Sequence, residues 1–296
     1  MAAPNTFAGE ALDRAAARRT DRAWLAQRLA DPTSRTVLVG SAGVLVAEGP
    51  QRSAPAQLPL AALGEMPEAI LLGIDGDGAV FAVDLDALEG PPPAGEVRGL
   101  REIVGDLTQA EGGLLAHASA LAHWHRSHRF CARCGAPTAM AEAGYVRRCP
   151  ACGAEHHPRT DPVVIMLVTD GDRALLGRQA TWPAGRYSAL AGFVEPGESL
   201  EEAVAREVAE EAGVTISAAH YRSSQPWPFP ASLMIGFLAD YAGGEPAARD
   251  GELEDVRWAT RAELEAARRG EGGLLLPPPE AIARRLVDDW LNRAES

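Results

Sequence analysis

The sequence predicts an α+β protein in three segments, and three observations predict it. Short aliphatic and β-branched runs alternate with stretches of helical spacing on both sides of residue 126. Four cysteines fall in two close pairs between positions 131 and 152. A glutamate-rich stretch between Gly192 and Gly213 carries helix-start and helix-stop signals. The 296 residues suit about two domains at roughly 150 residues each, with a small module between them. The expected division is an α+β N-terminal domain over 1–125, a metal ribbon over 126–158 and a second large domain over 159–296.

Composition narrows the function classes. Hydrophobic residues make up 46% and charged residues 23%, enough to bury a core. Acids outnumber bases 41 to 28, for a net charge of −13, which argues against a protein that coats DNA or RNA. Every base is Arg, so a lysine nucleophile, a Schiff base and a P-loop lysine are excluded. Glu10, Asp13, Arg14, Arg18 and Arg19 interrupt the place where a signal peptide's apolar stretch would lie. The longest strongly apolar run, Pro162 to Val168, is far short of the roughly 20 residues that span a bilayer. The expectation is a soluble, cytoplasmic protein with no membrane partner.

In the first segment, Ala11 to Ala30 has helical spacing through Leu12, Trp24, Leu25 and Leu29. Thr36 to Ala47 and Ala69 to Ile74 read as β runs, and Asp75-Gly76-Asp77-Gly78 joins the latter to Ala79 through Leu85 as a hairpin. Those aspartates do not make an EF-hand, because Ala79 stands where a third oxygen ligand belongs and no Glu closes the loop. Pro91-Pro92-Pro93 reads as a linker, and Leu114 to His125 as a helix entering the cysteine segment. In the last segment, Val163 to Val168 is a buried strand, Arg261 to Arg269 a solvated helix and Ala281 to Leu291 a closing amphipathic helix.

Cys131-x2-Cys134 and Cys149-x2-Cys152 are separated by 14 residues, and Gly135 and Gly153 follow the second cysteine of each pair. Two such knuckles close a tetrahedral S4 site, which suits one structural Zn²⁺ and leaves no position for a catalytic water. Two disulfides, or an ancestral ribbon that has lost its metal, are the other readings of the same cysteines. The flanks are basic (Arg126, Arg129, Arg133, Arg147, Arg148, Arg159), and His117, His123, His125, His128 and His156 are read as packing and capping groups.

In the glutamate-rich stretch, Ser199 with Glu202 reads as a capping box and Gly213 as the stop. Between them Glu207, Glu210 and Glu211 share one helix face, while Val204 and Val208 lie on another. Like charges so placed destabilise a bare helix. Divalent cations between them relieve this, and oxygen donors select Mg²⁺ or Mn²⁺. Arg206 is placed to pair with Glu198. An ordinary acidic surface helix is the plainer alternative.

The nine specified positions of this stretch, Gly192, Glu198, Arg206, Glu207, Val208, Glu210, Glu211, Gly213 and Val214, resemble the complete box of the Nudix superfamily. Downstream, Ser224-Gln225-Pro226-Trp227-Pro228-Phe229-Pro230-Ala231-Ser232 resembles the signature of its NADH pyrophosphatase family, in which a ribbon also precedes the Nudix domain. Three prolines there hold two aromatics in fixed poses, which suits a flat heterocycle. The sequence departs from the family at Ala231, where Gln is common, and at His157, where an aromatic is usual.

The resemblance implies an α/β/α sandwich at the C-terminus and hydrolysis of NAD(H) to NMN(H) and AMP. It implies Glu207, Glu211 and Glu252, with the carbonyl of Ala191, as Mg²⁺ or Mn²⁺ ligands, and Glu210 and Arg206 as assisting groups. Glu211 is the expected centre of water activation, with Glu210 and Glu252 as the alternative bases. Substrate contacts are implied for His157, Phe193, Gln225, Pro226, Trp227, Pro228, Phe229, Pro230, Ala231, Ser232 and Ala283. A homodimer is implied as well. Competing expectations are the same chemistry on an NAD cap of RNA, another substrate such as ADP-ribose, and a non-catalytic ribbon module that binds RNA. The intact box argues against the last and the Pro-Trp-Pro-Phe loop against ADP-ribose.

Overall fold

The computed structural model of the chain describes residues 3–47, 53–63, 68–88, 90, 93–249 and 251–293. Two compact units emerge. One comprises Phe7–Thr160 with Pro226–Ala231; the other comprises Met1–Thr6, Asp161–Gln225 and Ser232–Ser296. Of the expected proline linker, Pro91 and Pro92 lie outside the described residues. Among the described residues, no helix is long and apolar enough to cross a membrane.

The first unit opens with α1 (Arg22–Ala30). The expected helix over 11–30 is shorter. Asp13 bridges Ile74, Ala15 takes a left-handed conformation, and Asp21 accepts from the Trp24 N–H to cap the helix there. The strands are β1 (Arg35–Val39), β2 (Val44–Ala47), β3 (Ala54–Pro55), β4 (Gln57–Pro59), β5 (Ala69–Asp75), β6 (Gly78–Asp84) and β7 (Glu96–Arg98). They form one sheet with path β3-β2-β1-β6-β5, to which β4 adds on β1 and β7 on β2. The single β run expected over 36–47 is thus two antiparallel strands turning at Gly40–Gly43. The β5–β6 hairpin is as expected, with Asp75 opposite Gly78 and Gly76 at φ +60°.

Side chains alternate across this sheet. Val37, Val39, Ile70 and Val80 face α2 (Leu100–Ile103) and α3 (Gln109–Ser127), while Leu71, Ala79 and Phe81 face Leu60 and the apolar side of α1. The helix expected from Leu114 starts earlier, because Thr108 and Glu111 form a capping box. The ribbon follows as a three-stranded sheet of β8 (Ala139–Ala141), β9 (Val146–Arg148) and β10 (Glu155–His156).

The second unit is a mixed sheet of β11 (Asp161–Asp170), β12 (Arg173–Arg178), β13 (Leu190–Phe193), β14 (Thr215–Trp227), β15 (Ser232–Gly243) and β16 (Asp255–Thr260). Its path is β14-β15-β11-β12-β16, with β13 paired to β11, and β11 and β15 run parallel. Strand β11 is buried on both faces, so its run is continuously apolar. Val164, Met166 and Val168 pack against α4 (Leu200–Ala212). Ile165 and Leu167 pack against α5 (Arg261–Arg268) and α6 (Ile282–Leu291). The expected α/β/α sandwich follows from that period of two. α5 buries only Leu264, as a solvated helix should.

Candidate active site and ribbon

Helix α4 is built as its sequence directs. Ser199 accepts from the Glu202 N–H, the Glu202 carboxylate accepts from the Ser199 N–H, and Gly213 ends the helix at φ +69°. Ala203, Val204, Val208 and Ala212 are fully buried. That anchors the helix and turns the glutamate face toward the end of β13.

Arg206 organises this face. Its guanidinium donates to Glu198 at 2.6 Å, Glu207 at 2.8 Å, Glu210 at 2.9 Å and the Phe193 carbonyl at 2.9 Å. Glu198 also accepts from the Glu195 N–H at 2.7 Å, so the loop before α4 is tied to the helix through one arginine. The hydrogen bond from Arg206 and that from Glu195 hold the Glu198 carboxyl below the usual range.

Glu211 is 5% exposed and accepts from the Ala191 N–H at 3.3 Å, which fixes it beside β13. Burial pushes the Glu207 carboxyl up; Arg206 opposes this, while the charges of Glu210 and Glu252 add to it. Three acidic groups, Glu207 and Glu210 of α4 and Glu252 of the loop before β16, therefore act on one another. Among the described residues, these carboxylates do not bring three ligand oxygens within 4.8 Å of one another, as the cysteines do.

The residues fit divalent cations. The donor set is all oxygen, as Mg²⁺ and Mn²⁺ require. The strand opposite is cut away to seat a carboxylate, since a Cβ on Gly192 would lie 1.9–2.1 Å from the carboxylate atoms of Glu207. The box glycine is thus a cradle for Glu207, a role its spacing alone did not reveal. Beside Glu252, Arg178 pairs with Glu254 at 2.6 Å and the Tyr187 hydroxyl donates to Asp255 at 2.5 Å. Sequence reasoning missed this bracing, which becomes visible once β12 and β16 pair Arg178 with Asp255.

The residues expected to hold substrate divide. Phe193 is 61% exposed and His157 is exposed, both free to meet a ligand. Ser232 is half-buried at the start of β15. Ala283 is 4% exposed in the core under α6, so its side chain is a packing group. Gln225 is fully buried, and its amide is engaged on both sides. It donates to the carbonyls of Glu280 and Thr6 at 2.7 and 3.1 Å and accepts from the Ile282 N–H at 2.8 Å. It therefore fastens α6 and the first residues of the chain, a scaffold position and not an open contact.

Pro226–Ala231 belong to the other compact unit. There Trp227 and Phe229 lie 5.1 Å apart, Phe7 meets both edge-on, and Arg101 sits 4.0 Å over the Phe229 ring. Pro226, Trp227, Phe229 and Ala231 are half-buried, Pro228 is buried and Pro230 exposed. The aromatics are held in fixed poses, as the prolines imply, with part of each ring covered by the N-terminal core.

The ribbon has two matching knuckles. Gly135 donates to the Cys131 carbonyl and Gly153 to the Cys149 carbonyl, both at 2.9 Å, with φ of +75° and +72°. All four thiols are free and their sulfurs lie within 4.8 Å of one another. Cys131 and Cys152 are 3.7 Å apart, Cys134 and Cys149 3.5 Å. Bonds of about 2.3 Å to one tetrahedral Zn²⁺ require S···S edges of about 3.8 Å, whereas a disulfide is about 2.05 Å. The cluster fits a structural zinc and excludes the disulfide alternative. Burial raises the Cys131 thiol, and hydrogen bonds from His156 and the backbone outweigh it, bringing it to about 6.

His117 and His125 are packed into the interior. His117 links Glu10 at 3.0 Å to the Tyr145 hydroxyl at 2.6 Å, and His125 lies buried between Gly144 and Arg147.

Comparison with known proteins agrees over most of the chain. Residues 159–275 match the NUDIX domain, 126–156 the NADH pyrophosphatase zinc ribbon domain, and 33–124 the NADH pyrophosphatase-like rudimentary NUDIX domain. A protein of Mycobacterium bovis (strain BCG / Pasteur 1173P2) named NAD-capped RNA hydrolase NudC is 45% identical over 245 residues, 76% of this chain and 75% of that one. Proteins of the same name from Stutzerimonas stutzeri and Deinococcus radiodurans are 43% and 41% identical, covering 74% and 79% of this chain and 75% and 84% of their own. With the complete box on α4 and four cysteines gathered as one ligand set, these matches establish that the chain belongs to the NADH pyrophosphatase family of Nudix hydrolases.

Proposed function

We propose that this protein hydrolyses the pyrophosphate of NAD(H), giving NMN(H) and AMP, and that it acts in the same way on an NAD cap at the 5′ end of RNA. The observation that carries the reading is the seating of Glu207 in the Gly192 cradle, with Glu211 fixed on Ala191 beside it. Such precision has no use on an ordinary acidic surface helix. The NAD-cap activity is favoured by relatives of that name at 41–45% identity.

Glu207, Glu211 and Glu252, with the carbonyl of Ala191, would hold Mg²⁺ or Mn²⁺, which would neutralise the pyrophosphate and lower the pKa of the attacking water. The chain's own residues do the rest. Arg206 fixes Glu207 and Glu210 and keeps the box loop in register. Glu211 takes a proton from the water as its oxygen bonds to phosphorus. The bridging P–O bond then breaks, and its electron pair leaves on the departing phosphate. In the second unit, the exposed Phe193 supplies a face for the dinucleotide and Ser232 a hydroxyl; in the first, His157 is exposed, and the rings of Trp227 and Phe229 are held by Phe7 and Arg101.

The ribbon holds one structural Zn²⁺ on Cys131, Cys134, Cys149 and Cys152. The division into 1–125, 126–158 and 159–296, a homodimer and a cytoplasmic location belong to the same reading. Product analysis after incubation with NADH and with NAD-capped RNA, with Mg²⁺ or Mn²⁺ present, tests it. NMN(H) with AMP from the first substrate, and a 5′-monophosphate RNA with NMN from the second, are the expected outcomes.

A further inference from the structure

A cavity of about 470 Å³ opens between the end of α3, β5, β6 and the ribbon, wholly within the first unit. Its floor is the guanidinium of Arg147, which is 7% exposed. Buried charges are normally paired. Arg147 instead donates to neutral acceptors, the hydroxyl and carbonyl of Thr138 and Nδ1 of His125, each at 2.8 Å. Because an arginine only donates, Nδ1 of His125 must accept, so its Nε2–H donates to the Gly144 carbonyl at 2.8 Å. Burial holds His125 neutral, with its pKa lowered to about 4. The carboxylate in reach of Arg147, that of Glu68, stands 4.0 Å off with a side chain 65% exposed. A fixed cation therefore faces the cavity with only a loose counter-charge.

Two further features share this cavity. Arg129 lines it, is exposed and has no carboxylate partner among the described residues. Phe130 lines it and is 66% exposed, more than any other large apolar side chain described. Its backbone is pinned by a bridge to Pro137, so the ring is displayed from a fixed frame. Arg126 is already satisfied by Asp84 at 2.8 Å.

We propose that this cavity is a second nucleotide site, separate from the box: Arg147 and Arg129 take a phosphate and Phe130 stacks the base. Two arginines and an exposed aromatic lining one cavity match a mononucleotide unit, and the volume lies within the range of small-ligand sites. Asp84 stays paired with Arg126, and the exposed Glu68 side chain moves off Arg147 to admit the phosphate. The same chemistry is offered by a free nucleotide and by one residue of an RNA strand. The inference stands apart from the reading of the box.

The test uses the full-length, zinc-loaded protein without added Mg²⁺ or Mn²⁺. Adenosine 5′-monophosphate and a 5′-hydroxyl pentaribonucleotide are titrated separately by calorimetry onto wild type, Phe130→Ala and Arg129→Gln. Each substitution should weaken binding about tenfold, the scale of one stacked base or one phosphate contact, and leave kcat and KM for NADH unchanged. If the monophosphate shows this dependence, the site takes free nucleotides; if only the pentaribonucleotide does, it takes a strand. Arg147→Gln should abolish binding where circular dichroism and zinc content are preserved, and the two exposed variants carry the test if it misfolds. Absence of binding, or binding that all variants leave unaltered, overturns the proposal. Failure of wild type to cleave NADH would refute the reading of the box and leave this result standing.

Discussion

At the scale of single residues, the account turns on Gly192 and Glu207. A Cβ at position 192 would meet only the far end of a flexible side chain, so Gly192→Ala should displace the Glu207 carboxylate at little cost to folding. The expected outcome is a loss of kcat of at least about tenfold with an unchanged melting temperature. A drop in stability with activity retained would assign the glycine to packing. Glu211→Gln should abolish turnover and keep the fold, since the amide preserves the acceptor for the Ala191 N–H. More than about a tenth of the wild-type rate would remove Glu211 from the proton transfer. Roles that spacing fixes were legible at this scale: Arg206 with Glu198, the two buried valines and the helix caps all follow from positions three, four and eight apart. Gln225 was not, because its partners Thr6, Glu280 and Ile282 lie more than 50 residues away, and Ala283 was not, because its burial depends on distant strand residues such as Ile165 and Leu238. A motif shows that a residue type is required without showing whether ligand or scaffold requires it.

At the scale of elements, α4 and the ribbon behave as units whose ends and ligands are set locally. Ser199→Ala removes the acceptor for the Glu202 N–H and should destabilise the second unit by about 1 kcal/mol in chemical denaturation. Cys149→Ser should lose zinc and lower stability. Unchanged metal content would contradict the S4 site. Gln225→Ala leaves two carbonyls and the Ile282 N–H without partners. It should cost about 1–3 kcal/mol, a larger effect on unfolding than on the KM for NADH. Elements with a clean period were legible here, such as β11, the β5–β6 hairpin and α6. The start of α1 was misplaced, since helical spacing from Leu12 continues across a left-handed Ala15 that the periodicity cannot register. The long strands β14 and β15 were not read from sequence at all. β14 is an edge strand, exposed along much of its length, so its apolar alternation is weak.

At the scale of the whole molecule, charge and stability are linked through buried titratable groups. His125 has a folded pKa lowered from 6.5 to about 4, first by burial and further by the charge of Arg147. A base so depressed contributes its full stability above about pH 6.5. The contribution is lost as pH falls toward 4, because the unfolded chain takes up a proton that the folded chain refuses. Across that window the loss is about 3 kcal/mol. His125→Gln should be less stable at pH 7 but lose less on acidification, and parallel curves of stability against pH would refute the assignment. The sandwich was legible from the order of the motifs, whereas the ribbon groups with the N-terminal segment in one compact unit. The grouping of Pro226–Ala231 with the N-terminal unit was not legible, since it rests on Phe7 and Arg101, more than 120 residues earlier in the chain.

The central claim is pyrophosphate hydrolysis of a nicotinamide dinucleotide at the box. Its most direct test is to incubate the purified protein with NADH and Mg²⁺ or Mn²⁺ and separate the products by chromatography with mass detection. Equal amounts of NMNH and AMP, absent with Glu211→Gln, are the expected result. No cleavage by folded, zinc-loaded protein, or cleavage at any bond other than the pyrophosphate, would contradict the account.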